Sequence, residues 1–339
     1  MKKEFIKTII FTKTPLKKWF RYKDIFQIYP ADFEGMPRSN LQQHFPVVLE
    51  YWTSDKDHID VDVEYENLKA SFSQTATQYN KQDKLLSLLT VFTNHVFFRY
   101  TPESGFWGVA IQHDSPGQEA DSWPVKWVLP EFHWPEMAGK FQLSEFSTPE
   151  IQEVDYIDHL PYYFQDPNFD SDTKREITFP NTIDLVLDTY FSTDEDERSV
   201  LDSAISYAVS AMELMTSKRT LSLLSSFTSV ETMVNLEYRS FVAEKCDGCG
   251  QLKHSVSKKY RDYLLKYIGD SISNKKKFNE YYSLRSRIVH TGKRLRTEDI
   301  YVKMDDEERL GEYKNMAEVL LLGKLAIIQW LLKKEIRYA

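Results

Sequence analysis

The spacing of apolar residues changes character once along this chain, and that change limits the fold more than any other feature. Up to about residue 185 apolar and polar positions mostly alternate, as in Phe45 to Trp52, in Ile59 to Glu64 and in Gly105 to Ile111. A period of two is the pattern of half-buried strands. One helix is expected to interrupt this region, from Lys81 to Phe98, where Leu85, Leu86, Leu88, Leu89, Phe92 and Val96 recur at helical spacing. Past the acidic run Thr193 to Glu197, which supplies an N-cap and first-turn carboxylates, the period becomes 3.6. Val200, Leu201, Ala204, Ile205, Ala208, Ala211, Met212 and Met215 form one stripe. Leu223, Leu224, Phe227, Val230, Val234 and Phe241 form a second. Three more helical patterns run from Ser257 to Ile268, Asn274 to His290 and Asp305 to Lys334. Long amphipathic helices on short connections pack antiparallel in a bundle. The expected fold is therefore α+β, a β-rich N-terminal domain over residues 1–190 followed by an all-α helical bundle over 191–339.

Length agrees with two domains, since 339 residues exceed an ordinary single one. The formal charge of −8 hides an uneven distribution. Between Lys218 and Lys303 there are 18 lysines and arginines against 9 acids, a local +9 that leaves −17 for the rest. A positive segment in an acidic chain suits phosphate binding, although a solvated lysine surface gives the same count.

Several classes are disfavoured. There is no Gly-rich phosphate loop, dinucleotide fingerprint, His-Glu-x-x-His zinc motif or nucleophile elbow. Residues 1–7 carry lysines but no apolar run or cleavage site, so no secretory signal is expected and the cytoplasm is the expected compartment. The most apolar run, Val319 to Leu332, is interrupted by Lys324 and Gln329 and reads as a buried core helix; no membrane partner is expected.

Three features invite a site and have plainer explanations. Asp60, Asp62 and Glu64 share one face, which is the wet side of a strand before it is a metal site. His95, on the expected helix, reads as a hydrogen-bonded structural residue. Trp52, Trp107, Trp123, Trp127 and Trp134 suit a core, or a surface that stacks a ligand.

Two clusters carry chemistry. Cys246-Asp247-Gly248-Cys249-Gly250, with His254 five residues on, offers three of the four ligands of a structural zinc site. A reduced non-ligating pair or a redox dithiol fits the same residues. The second cluster is Leu284-Arg285-Ser286-Arg287-Ile288-Val289-His290 at the end of the fourth helix, just before Gly292, with Lys293 and Arg294 behind it. Guanidinium forks onto phosphate oxygens, and imidazole moves protons near neutral pH. Cations in a last helical turn also offset the helix dipole, which by itself accounts for Arg287, His290, Lys293 and Arg294.

The spacing Arg285-x4-His290 resembles the R-x4-6-H motif of the HEPN superfamily. The closest resemblance is to the Apea-like HEPN branch, through Cys246 to Gly250, Lys259-Tyr260-Arg261-Asp262 and Leu284 to His290, and it covers roughly residues 199–336. It implies a HEPN-like bundle and a metal-independent endoribonuclease with no cofactor needed for catalysis. His290 would handle the proton and Arg285 the phosphate charge, with RNA held by Arg287, Lys293 and Arg294. Five residues at 100° each turn His290 about 140° away from Arg285. Either the last turn unwinds, or two protomers join their motifs in the homodimer that the resemblance implies. Glu231, on the second helix, is placed to orient Arg285 through an ion pair. Ser286 departs from the Asn, Asp or His that many active members carry after the arginine. A toxin or antiphage defence effector would be the biological setting, with the N-terminal domain sensing an unknown ligand or regulating. The alternative is a catalytically silent module that binds RNA, a nucleotide or a protein partner.

Overall fold

The computed structural model describes residues 4–31, 44–62, 66–99, 145–164, 175–240, 256–299 and 302–338. These form two compact units, one drawn from the stretches within 1–89, 95–156 and 170–179, the other from those within 90–94, 157–169 and 180–339. The architecture is α+β, a β-rich N-terminal region followed by helices.

In the first unit, β1 (Glu4–Thr12), β2 (Phe20–Tyr22), β3 (Phe26–Pro30), β4 (Phe45–Thr53) and β5 (Phe97–Phe98) form one sheet in the order β2-β3-β4-β1-β5. Every pairing is antiparallel, and the central β1–β4 ladder runs from Glu4 opposite Thr53 to Thr12 opposite Phe45. Side chains alternate between faces, so Val47, Leu49 and Tyr51 share one face and Val48 and Glu50 the other. All five are buried, which means both faces of β4 are covered. Most of the long helix α1 (Glu66–Phe92) belongs to this unit, where Tyr51 donates its hydroxyl to the Gln78 carbonyl at 3.0 Å.

The structure corrects two expectations here. Residues 59–62 form no strand; instead the Ile59 and Val61 amides donate to Thr77 Oγ1 at 2.9 Å and Ser73 Oγ at 3.0 Å on α1. An extended segment lying on a helix alternates inside and outside as a strand does, so the period alone cannot separate the two. The helix expected over Lys81–Phe98 starts at Glu66 and ends at Phe92. Its first turns bury little apolar surface and are held by those hydroxyls, while Phe97 and Phe98 leave the helix to pair with Thr12 and Phe11. His95 is buried beyond the helix end. The segment Gly105–Ile111 lies outside the described residues.

The second unit contains α2 (His159–Phe164), α3 (Ile183–Ser192), α4 (Glu195–Leu214), α5 (Arg219–Glu237), α6 (Val256–Tyr267), α7 (Ile272–Thr291) and α8 (Asp306–Tyr338). The boundary expected at 190/191 falls inside α3. Asp194 caps α4 by accepting from the Glu197 amide at 3.0 Å, as the acidic run implied. Asp305 does the same for α8 through Glu308 at 2.7 Å.

Hydrogen bonds give the direction of packing. Ser222 Oγ donates to the Ala211 carbonyl and Ser229 Oγ to that of Ala204, so seven residues up α5 match seven down α4 and the pair is antiparallel. Small residues permit that approach. α5 meets α8 as closely, with Ser226 Oγ donating to the Val319 carbonyl at 2.9 Å. A Cβ on Gly323 would lie 2.7 Å from this hydroxyl. Gly323→Ala is therefore expected to destabilise the protein by about 1–2 kcal/mol, because the clash outweighs alanine's higher helix propensity. Thermal melts should show a lower Tm for Gly323→Ala and partial recovery when Ser226→Ala removes the obstructing oxygen. A Tm at or above wild type for the single variant would contradict this contact.

By length and composition α8 could cross a membrane, but 67% of its apolar window is buried within the protein, and Val319, Leu320, Ala326, Ile327, Ile328 and Leu331 are core residues. Glu237 ties three helices, accepting from Lys266 and Tyr267 on α6 and from Trp330 Nε1 on α8 at 3.1 Å. Burial pushes its carboxyl up, but the bonds from Lys266 and Tyr267 and the Lys266 charge hold it below the usual range.

Candidate functional site

α7 is cut to length at both ends. Ser271 accepts from the Asn274 amide at 3.0 Å to start it. Gly292 stops it in the left-handed region at φ 65°, with its amide donating to the Ile288 carbonyl at 2.9 Å. Glycine adopts that conformation at no steric cost, which is why the sequence ends the helix there. Phe278, Tyr281 and Ile288 are the buried face.

That face fixes where the motif residues point. Arg285 leans toward α5, where Nη2 donates to Glu231 Oε2 at 2.9 Å; the two side chains keep 25% and 21% of their surface exposed. The expected pairing of Glu231 with Arg285 is thus present. It uses one guanidinium nitrogen, so a bound phosphate could still meet the others. Glu231 Oε1 is buried and has no hydrogen-bond partner among the described residues. Tyr282 lies with its ring centroid 6.0 Å from the guanidinium and stacks obliquely on Tyr260 at 5.4 Å, giving the arginine an aromatic wall.

His290 sits in the last turn and is exposed. The helix continues unbroken through it to Gly292, so the last turn does not unwind, and the two motif side chains leave the axis about 140° apart. Between them lie Tyr282, Ser286 and Val289, the last 48% exposed. One chain therefore presents Arg285 and His290 as the two edges of a strip rather than as one cluster. Arg287, Lys293 and Arg294 are exposed around the same helix end.

The remaining candidates are dispersed. Cys246, Cys249 and His254 lie outside the described residues, as do Glu64, Trp107, Trp123, Trp127 and Trp134. Asp60 pairs with Lys69 at 3.3 Å, and the described residues contain no group of His, Cys, Asp and Glu able to hold a metal ion. Trp52 packs edge-on against Phe5 at 5.1 Å, and both are half-buried.

Two buried polar centres were not anticipated. In the sheet unit, Glu50 is fully buried and accepts from Tyr29, Gln27, Ser147 and Lys7. In the helical unit, Lys324 is buried beneath Thr93 and Asn94. Each interrupts an otherwise apolar run, and that interruption was the available signal. No family model, curated protein or solved structure matches the chain.

Proposed function

We propose that the helical unit is a HEPN-type bundle and that the protein is a cytoplasmic, metal-independent endoribonuclease acting as a homodimer, a toxin or antiphage defence effector. The observation that carries this is the pose of the motif: Arg285 anchored by Glu231 at one edge of a half-exposed strip, and His290, exposed and without a hydrogen-bond partner among the described residues, at the other. A two-fold partner on Tyr282, Ser286 and Val289 would set Arg285 of one copy near His290 of the other, and an isologous interface repeats the contact symmetrically.

In this site the ribose 2′-hydroxyl attacks the adjacent phosphorus while His290 takes its proton. The bond from phosphorus to the 5′ oxygen breaks, and that oxygen takes a proton from the second copy's imidazolium. The products are a 2′,3′-cyclic phosphate and a 5′-hydroxyl. Arg285 neutralises the charge building on the phosphate oxygens, held in aim by Glu231. No step calls for a metal.

A catalytically silent RNA-binding module is the second reading, favoured by Ser286 after the arginine and by His290 having no orienting hydrogen bond among the described residues. One experiment separates the two. Wild type, His290→Ala and Arg285→Ala are incubated with total RNA in EDTA and the ends are mapped. Cleavage leaving cyclic phosphates, reduced about a hundredfold or more by either substitution, is expected. Absence of wild-type cleavage would remove the nuclease reading, and equal cleavage by all three would mark a contaminant.

A further inference from the structure

The cations of α7 and of the turn that follows it divide into two sets. Lys277 is engaged by Glu318 and Arg285 by Glu231, whereas Lys275, Lys276, Arg287, Lys293 and Arg294 make no ion pair among the described residues. Glu280 is the one carboxylate on the helix. On the flank beyond His290, away from the Tyr282–Val289 strip, lies an open groove of about 500 Å³ whose described lining is Lys276, Asn279, Glu280, Ser283, Leu284 and Arg287.

Its chemistry favours a chain of phosphates. A phosphate oxygen only accepts hydrogen bonds, so it needs donors. Lys276 and Arg287 supply two exposed sets, about 17 Å apart along the axis, a span of about five stacked nucleotides. Asn279 supplies a third: Arg261 Nη1 donates to its Oδ1 at 3.3 Å, which turns the amide so that its NH2 remains to donate. Ser283 donates its hydroxyl to the Asn279 carbonyl at 2.9 Å and so presents lone pairs, which suit a ribose 2′-hydroxyl. Around the helix Ser283, Asn279, Lys276 and Arg287 lie within about 60° of His290, while Glu280 is turned about 80° away.

We propose that this groove is the track for the single-stranded RNA that flanks the cleaved phosphate, with Lys276 and Arg287 each gripping a backbone phosphate and delivering the strand to His290. Donors in single file along one helix flank match one strand; a duplex would demand contacts spread across two grooves. The proposal rests on the nuclease reading for its direction, but the binding itself does not.

The test uses the full chain with His290→Ala, so that a fluorescein-labelled oligouridine of about twelve nucleotides stays intact, and measures affinity against salt. Adding Lys276→Glu and Arg287→Glu is expected to weaken binding about tenfold or more and to flatten the salt slope by about 1.4, two phosphate contacts at about 0.7 each. Glu280→Gln is expected to tighten it. Arg309→Glu with Lys314→Glu makes the same charge change on exposed positions of α8 and should shift affinity less than twofold. If the groove pair and the α8 pair act alike, or if neither acts, the track is wrong. In the cleaving protein the same pairs distinguish the two ideas. RNA cutting that ignores the groove pair sinks the track and leaves the nuclease, while groove-dependent binding without any cutting supports the track and sinks the nuclease.

Discussion

Glu50→Ala is expected to remove about 3–5 kcal/mol from the stability of the sheet unit, because it takes a buried, hydrogen-bonded counter-charge away from Lys7. Glu50 is opposite Lys7 on β1 and Gln27 on β3, and both sides reach it. Lys7 Nζ lies 3.1 Å from Oε1 with only 5% of its side chain exposed, while Tyr29 donates at 2.7 Å. Gln27 Nε2 donates to Oε2 at 2.6 Å, and the Ser147 amide at 2.9 Å. Burial pushes the carboxyl up, but the Ser147 bonds, the Tyr29 bond and the Lys7 charge outweigh it, and the group ends below its usual range. A depressed folded value stabilises above the unfolded one and is lost as pH falls, so the contribution is complete above about pH 4.5 and fades below it. Urea unfolding followed by tryptophan fluorescence should show the loss at pH 7. Glu50→Leu combined with Lys7→Met should recover most of it, because a buried ion pair replaced whole by apolar residues costs little. A loss under about 1 kcal/mol for Glu50→Ala would mean that water reaches Lys7 and replaces the carboxylate.

The legible parts of this fold were those where one periodicity had one physical cause. The stripes from Leu201 to Met212 and from Leu223 to Val234 bury against neighbouring helices, and α4 and α5 fall where those stripes predict; Phe241 lies outside the described residues. Gly292 and Asp194 end and begin helices for reasons that need no tertiary context. Reading failed where tertiary contact supplies what the pattern lacks. The first turns of α1 are fixed by Ser73 and Thr77 receiving amides from a segment that sequence alone makes a strand. At the site, Arg285 and Glu231 are 54 positions apart, and only the phase of the two helices could suggest their meeting. The fate of His290 was legible as an angle. Lys276, Asn279 and Ser283 have no signature in the sequence, since polar residues on a helix's outer face carry no mark until a concavity forms over them.

Lys324→Met is expected to stabilise the helical unit by an amount that shrinks as pH rises. The lysine is 4% exposed, donating to the Thr93 carbonyl and to Asn94 Oδ1 at 3.0 Å, with Nζ 5.5 Å from the centroid of the Tyr163 ring. Among the described residues no carboxylate pairs with it. A neutral amine has two N–H bonds, and both are used; the ammonium form adds a third N–H and a charge taken out of water, which the face of the Tyr163 ring offsets only in part. Burial accordingly pushes the group down to about 7 from its ordinary 10.5. In the unfolded chain it holds its proton up to about 10.5, so between the two values unfolding takes up a proton and wild-type stability rises with pH. Below about pH 7 both states are protonated and the full penalty applies, roughly 3–5 kcal/mol for a shift of that size. Methionine has nearly the same shape and no charge. Urea melts followed by far-ultraviolet circular dichroism should therefore show Lys324→Met well ahead of wild type at pH 6.5, with the gap about 3 kcal/mol smaller at pH 9.5. Comparing the two proteins at each pH cancels the other lysines and tyrosines that titrate in that range. A gap that stays constant between the two pH values would mean that Lys324 keeps its charge throughout. An unstable Lys324→Met at both would mean that the bonds to Thr93 and Asn94, which end α1, contribute more than the buried amine costs.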